Sequence, residues 1–503
     1  MTQSAAHSRL PPISGGERGT PLTLRLKLGY AAGQLIDGIV NNTLSVFLLF
    51  YVTAVCGLSG ALAGAALSAG IIVDAVADPV IGAWSDGLHS RFGRRLPFML
   101  GGLIPIATTF VLIFTLPSGL SQGALFAWVA ALSIILRVST SLFILPYQAV
   151  GAELSDDYHE RSSIMAWRWG MGMSGAALAV TLGFGVFLTG HDGLSRRAAY
   201  GPFAIVLAGI FLIGGLIAAR ATHGVRQRLH APTENIGWLG ARVLHGVREA
   251  LRNHSFRILF VGALLFFIAL GTNSSLALHA NTFFWHLTGA KTQIVTLALF
   301  VGLLAGAPLA GPCLVRLEKA TVLMIGMGGL LVAQGAPVLL RLLHLFPWSG
   351  ATLAWLLAGI MFVGGALMAT AAIAFSSMMA DAADEHEHLF GQRREGLFFA
   401  AWAFASKAST GAGALIAGAL LQMIHFPTNL AERGGTSAPL PESMTDWLGL
   451  LYGPGAALLT LAAVLTTLFY RLDSKAHAVI IGELEERRRV AIGSPVGCVA
   501  AQP

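Results

Sequence analysis

Apolar residues run along this chain in unbroken stretches of about 20 or more, separated by short polar segments. Each stretch is long enough to cross about 30 Å of hydrocarbon as a helix rising 1.5 Å per residue. The alternating strands of a membrane barrel do not produce continuous apolar runs, so the pattern predicts helices. They are expected at about 27–52, 59–84, 97–116, 122–148, 162–188, 201–220, 256–287, 291–315, 320–341, 350–379, 396–424 and 446–470. Twelve spans put both chain ends on one side. The longest polar interruption, about 221–255, falls between spans six and seven. The expected organisation is a tail over 1–26, a six-helix half over 27–220, a central loop over 221–255, a second half over 256–470 and a tail over 471–503.

Composition agrees with this pattern. Only 11% of residues are charged and 55% are hydrophobic, whereas a soluble domain carries about 25% charged residues. The bases report topology. Of 32 Lys and Arg, 24 fall on the side of the N-terminal tail, 5 in the opposite loops and 3 within spans. That asymmetry predicts that both termini face the cytoplasm in an inner-membrane protein. It also explains the formal charge of +7 without nucleic acid. The polar first 25 residues predict no cleaved signal peptide. Cys56, Cys313 and Cys498 form no metal or redox spacing. Gly60/Gly64 and Gly302/Gly306 are spaced for close helix approach. Two equal halves with a long central loop suggest the major facilitator architecture, an all-α membrane fold. Similarity between the halves is faint, confined to Gly82–Arg94 after span two and Gly311–Lys319 after span eight.

Away from the span ends, six acids and strong bases lie inside the predicted spans: Asp37, Asp74, Asp78, Arg137, Arg168 and Lys407. A mid-membrane charge costs about 2.5–3.5 kcal/mol on insertion scales, so such groups pair, face water or act. Asp74 and Asp78 are one turn apart on one face. Two carboxylates that close call for a proton, a metal cation or a basic partner, which is the chemistry of a coupling site. The alternatives are a static ion pair or, for Asp78, a helix-end role. Asp37 and Asn41 share a face of span one and could contact a solute or bond neighbouring helices. Lys407 is too deep in span eleven to snorkel and is expected to face a cavity, while Arg168 could snorkel. Arg137 sits in no motif and is read as structural. In span seven, Asn273, His279 and Trp285 form polar and aromatic positions suited either to a sugar or to an interhelical seam.

Two charged stretches resemble switches. One contains Asp86, Arg91, Arg94 and Arg95; acids and bases there can pair between helices as the halves rock. The other runs from Asp381 and Asp384 through His388 to Arg393 and Arg394. It is expected to be a loop that pairs with basic segments rather than a metal site.

These residues resemble the glycoside–pentoside–hexuronide:cation symporters, the melibiose-permease branch of the major facilitator superfamily. The resemblance covers about 27–470. It rests on three motifs: Asp74-Ala-Val-Ala-Asp78-Pro79 with Gly82, Asp86 and Arg91 to Pro97; Pro146-Tyr147 with Glu153, Asp157, Arg161 and Arg168; and Asp381, Asp384, Glu385, Arg393, Arg394 and Lys407. It implies that Asp74 and Asp78 form a cation site with Lys407 nearby, that Arg168 lines the sugar site, and that the loops gate the cytoplasmic side. Ala77 stands where melibiose-type carriers have an Asn that helps hold sodium. That departure points to protons rather than sodium. Ile144 and Gly38 stand where those carriers place sugar-orienting acids, although Asp37 is adjacent. Melibiose is therefore not the expected solute.

The expectation is alternating-access symport of a small organic solute, a sugar or glycoside, with H+ or Na+, by a monomer in the bilayer that needs no cofactor or metal. A lysophospholipid carrier of the same fold is the alternative, and a non-transporting receptor is the alternative from another class. No His/Glu metal pair and no Ser/Asp dyad at matching depth points to an enzyme.

Overall fold

The computed structural model describes residues 22–88, 90, 93–155, 157–190, 192–223, 248, 250–391, 395–430, 435 and 440–493. No strand occurs among them. Eleven helices in this set are long and apolar enough to cross a membrane. They are span two (Gly60–Gly87), three (Leu96–Ile113), four (Gln122–Glu153), five (His159–Phe187), six (Arg197–His223), seven (His254–Phe284), eight (Gly289–Arg316), nine (Lys319–Leu342), ten (Gly350–Phe390), eleven (Phe398–Met423) and twelve (Glu442–Thr467).

Span one completes the twelve, but it is interrupted rather than continuous. A helix over Leu24–Ala31 turns at Ala32-Gly33 into a second over Gln34–Thr43, followed by wide turns at Leu44–Leu48 and Tyr51–Val55. Tyr147 packs so closely here that a Cβ on Gly33 would lie 2.6 Å from its ring. Polar caps set several other starts. The Asp157 carboxylate accepts from the Glu160 amide at 2.9 Å before span five, and Asn253 accepts from Phe256 at 2.8 Å before span seven.

Span ten corrects the loop expected around Asp381 and Asp384. It runs to Phe390, and Gly391, at φ 73°, caps it in the left-handed conformation. Hydropathy falls at Ala380 because the helix leaves the membrane, yet no Pro or Gly interrupts the chain before Gly391. The exposed turns are held by an amphiphilic C-terminal helix, Ser474–Gly493, through Arg488–Glu387 at 2.8 Å and Arg487 donating to the His388 carbonyl at 3.0 Å.

The packing shows the repeat that the residues barely reveal. Span two packs on four, three on four and six, and one on five and six. Adding six to each number gives the second half: eight on ten, nine on ten and twelve, and seven on eleven and twelve. The halves meet along spans two and eleven, five and eight, and one and seven. This is the major facilitator arrangement of two six-helix bundles. Gly302 and Gly306 seat span eight against Phe362 and Ala366 of span ten, so that small-residue pair packs within the second half.

Candidate functional site

Span two presents two faces. Ile72, Val76 and Val80 are exposed on one side, as expected of a lipid stripe. Ser68, Asp74 and Asp78 lie on the other, against span eleven. Small residues bring these helices together. A Cβ on Gly64 would lie 2.8 Å from the Ala414 carbonyl oxygen, so only glycine permits this approach. Below it the Ser68 hydroxyl, which also bonds the Gly64 carbonyl at 2.8 Å, reaches Gly411 O of span eleven at 2.7 Å. The seam then ends in charge. Lys407 Nζ donates to Asp74 Oδ2 at 2.8 Å and also to Asp78 Oδ2. One ammonium from the second half thus bridges two carboxylates of the first.

Both oxygens of Asp74 have a partner, because the Ser141 hydroxyl of span four donates to Oδ1 at 2.5 Å. Those of Asp78 do not, since its Oδ1 is buried without a partner. Leaving a buried acceptor unpaired costs about 1–3 kcal/mol, and more when it is charged. The arrangement therefore presents an acceptor to a proton or a small cation.

A second chain of bonds lies alongside. Asp37 accepts from Gln34 at 2.8 Å and from the Asn41 amide at 2.6 Å. The Asn41 oxygen in turn accepts from Arg137 Nη1 at 2.8 Å. Asp37, Asp74, Asp78, Arg137 and Lys407 together carry a formal charge of −1. The sixth intramembrane ion, Arg168, acts on Tyr30 and Tyr147 instead. Those rings stack at 4.5 Å, and the Tyr147 hydroxyl is buried without a partner. Arg137, Ser141, Gln34 and Tyr30 escaped the sequence reading as site residues. The available signal was that Arg137 and Ser141 are four apart on one helix.

The span-seven residues lie at seams in this conformation and not beside Asp37 and Arg168. Asn273 donates to the Tyr452 carbonyl of span twelve at 2.9 Å. His279 Nε2 sits 3.1 Å from the Thr53 hydroxyl, between the Phe50 and Phe426 rings. Trp285 packs on Phe284 and Phe346 under the Arg341 guanidinium. Phe50, Phe283 and Phe426 close the side of the molecule away from the termini.

On the side of the termini, each half carries its own ion pairs. Glu153 meets Arg94 at 2.6 Å and Arg95 at 2.7 Å, and Arg95 also meets Asp86 at 3.1 Å. Lys319 meets Asp381 at 2.6 Å, and His477 is 3.2 Å from Asp384. None of these pairs joins one half to the other. Asp157 caps span five, and Arg161 donates to the Ser155 carbonyl at 2.6 Å, so both organise the turn between spans four and five. Arg91, Arg393 and Arg394 lie outside the described residues.

Comparison with known proteins gives consistent results. A family described as MFS/sugar transport protein matches residues 29–474. A glucuronide carrier protein homolog of Escherichia coli is 26% identical over 472 residues, covering 93% of this chain and 97% of that protein. A Synechocystis symporter is 38% identical over 161 residues, 31% of this chain and 30% of that one. The crystal structure of the nucleoside transporter NupG superposes with a TM-score of 0.57 at 15% identity, covering 88% of this chain and 98% of that one. That last likeness is one of fold.

Proposed function

The chain belongs to the MFS/sugar transport protein family, and from that premise we propose that it is a symporter coupling one cation to the uptake of a hydroxylated solute, a sugar or glycoside. The observation that carries this reading is the Lys407 ammonium held between Asp74 and Asp78 of the opposite half, with one Asp78 oxygen free. In the unloaded site Lys407 ties the halves together at mid-membrane. A positive charge arriving at Asp78 competes with the ammonium and loosens that tie. The halves are then free to rock when solute satisfies the polar groups nearby. A coupling of about 1–3 kcal/mol between ion and solute is enough.

We assign the ion as a proton. Asp74, Asp78 and Ser141 supply oxygens, but Ala77 supplies only a methyl group, and an alkali cation requires a fuller oxygen shell. Gln34, Asp37, Asn41 and Arg168 supply the donors and acceptors a hydroxylated solute needs, beside the stacked Tyr30 and Tyr147 rings. The relative named as a glucuronide carrier protein homolog suggests an acidic sugar, for which Arg168 is the matching charge. The protein works as a monomer in the inner membrane with both termini cytoplasmic.

A second reading has its own observation. An apolar cavity inside the second half is lined by Phe266, Phe267, Phe375 and Trp402, and the Trp402 N–H is buried without a partner. This favours a solute with an apolar portion. Competition by alkyl glycosides and lysophospholipids against a simple sugar separates the two.

Proteoliposome uptake tests the main reading. Asp74→Asn is expected to abolish uphill accumulation while sparing counterflow. Normal accumulation by that variant refutes coupling through this pair.

A further inference from the structure

The span-four arginine has no place in the mechanism above, yet it stands among all three intramembrane acids. Arg137 is anchored on Asn41 Oδ1 at 2.8 Å, and the carboxylates acting on it are Asp74, Asp37 and Asp78. One turn along the same helix, Ser141 holds Asp74. Arg137 therefore belongs to the same charge cluster as Lys407, reached from a third helix.

We propose that Arg137 is a resident cation of the coupling site and the residue that selects its ion: with the guanidinium in place one proton completes the charge, and without it the site takes up an alkali cation. The inference rests on the coupling reading of Asp74 and Asp78. Two observations carry it. The first is charge. Three carboxylates against Arg137 and Lys407 leave −1, which a single proton cancels. Removing Arg137 leaves −2, and an uncompensated buried charge is strongly unfavourable. The remaining ionisable groups on the surrounding helices do not make up the difference, since Arg168 of span five engages Tyr30 and Tyr147, and His279 of span seven sits at the far closure.

The second observation is space. Arg137 borders a cavity of about 30 Å³ between the halves, with Ser45, Ser133, Ser274, Ser275 and Thr410 on its polar side and aliphatic side chains such as Leu67 on the other. That is room for about two waters. The Ser133 hydroxyl is buried there without a partner. Truncating Arg137 enlarges this cavity and frees Asn41 Oδ1, adding an amide oxygen to the hydroxyls already at its wall. Such oxygens have the ligand chemistry a hard monovalent cation requires. In the native chain the guanidinium fills that position and presents donors instead.

The test compares purified wild type, Arg137→Gln, Arg137→Lys and Asp74→Asn. Each is assayed in sodium chloride and in choline chloride at equal ionic strength, by thermal unfolding and by proteoliposome uptake. Wild type and Arg137→Lys are expected to be indifferent to sodium. Arg137→Gln is expected to gain about 2 °C or more in midpoint with sodium and to show several-fold sodium-stimulated uptake. A folded Arg137→Gln that ignores sodium overturns the proposal, as does a wild type that sodium stabilises. Should Arg137→Gln fold but fail to accumulate, its unfolding midpoint decides: a rise with sodium upholds the proposal and none overturns it. Normal uphill uptake by Asp74→Asn overturns the coupling reading itself, whereas sodium indifference of Arg137→Gln alongside a defective Asp74→Asn overturns only the role of Arg137.

Discussion

The seam between spans two and eleven and the seam between spans eight and five are symmetry mates, yet they are built from different materials. The first is a close glycine contact that passes through the Ser68 bond to Gly411 and ends in the Asp74–Lys407–Asp78 bridge. The second brings Gly185 of span five near Gln293, and Gly289 at the start of span eight near Leu188. Span eight has no acid or base between Lys291 and Arg316. A repeated packing scheme thus carries chemistry on one side only. A charged seam can be opened by neutralising one group, because its attraction depends on ionisation state. An uncharged seam has no such control and serves as a passive contact. On the proposed mechanism the switch therefore belongs to spans two and eleven.

The largest expected effect of breaking this contrast is on transport. Asp74→Asn should lower uphill accumulation on the order of a hundredfold, which corresponds to about 2.7 kcal/mol of lost coupling and lies within the usual allosteric range. Proteoliposome uptake measures it, and no comparable loss should follow from any substitution in the five–eight seam. Next comes Lys407→Met, which leaves two carboxylates facing each other. Breaking a fully buried pair costs about 3–5 kcal/mol. Because the Lys407 side chain is 39% exposed, about 2 kcal/mol is expected here, read as a lower unfolding midpoint. Adding Asp78→Asn to Lys407→Met should recover part of that loss, and a double variant no more stable than the single would refute the bridge. Gly64→Val pushes a branched side chain against the Ala414 carbonyl and should destabilise by about 1–3 kcal/mol. The smallest effect belongs to the mate seam. In Gly185→Ala the new methyl meets the flexible end of Gln293 at 3.0 Å, which can move aside, so a change within about 0.5 kcal/mol is expected.

Legibility from the residues followed the range of the interactions. Asp74 and Asp78 were readable as a pair because one helical turn separates them, and helix geometry is local. Lys407 was readable as facing a cavity because hydropathy places it deep in a span. Its attachment to both acids was not, since the residues lie more than 300 positions apart and meet only because Gly60, Gly64 and Gly418 let two backbones touch. Arg137 was assigned a structural role for the same reason. Nothing near it in the chain names Asn41 as its partner, and the carboxylates around it arrive on other helices. For His279 the polarity of span seven left a sugar contact and an interhelical seam both open, and packing set it against Thr53 and two phenyl rings.

The linear order of residues therefore decided the number of spans, their division into two sixes and the presence of an acidic pair in the membrane. Those features depend on transfer of each segment from water to lipid and on a 3.6-residue turn, both of which act along the chain. Folding decided which base answers which acid, that one carboxylate oxygen is left open, where span ten ends, and that one of two equivalent seams carries all the charge. These depend on distances between helices, and such distances are set by side-chain packing across the bundle.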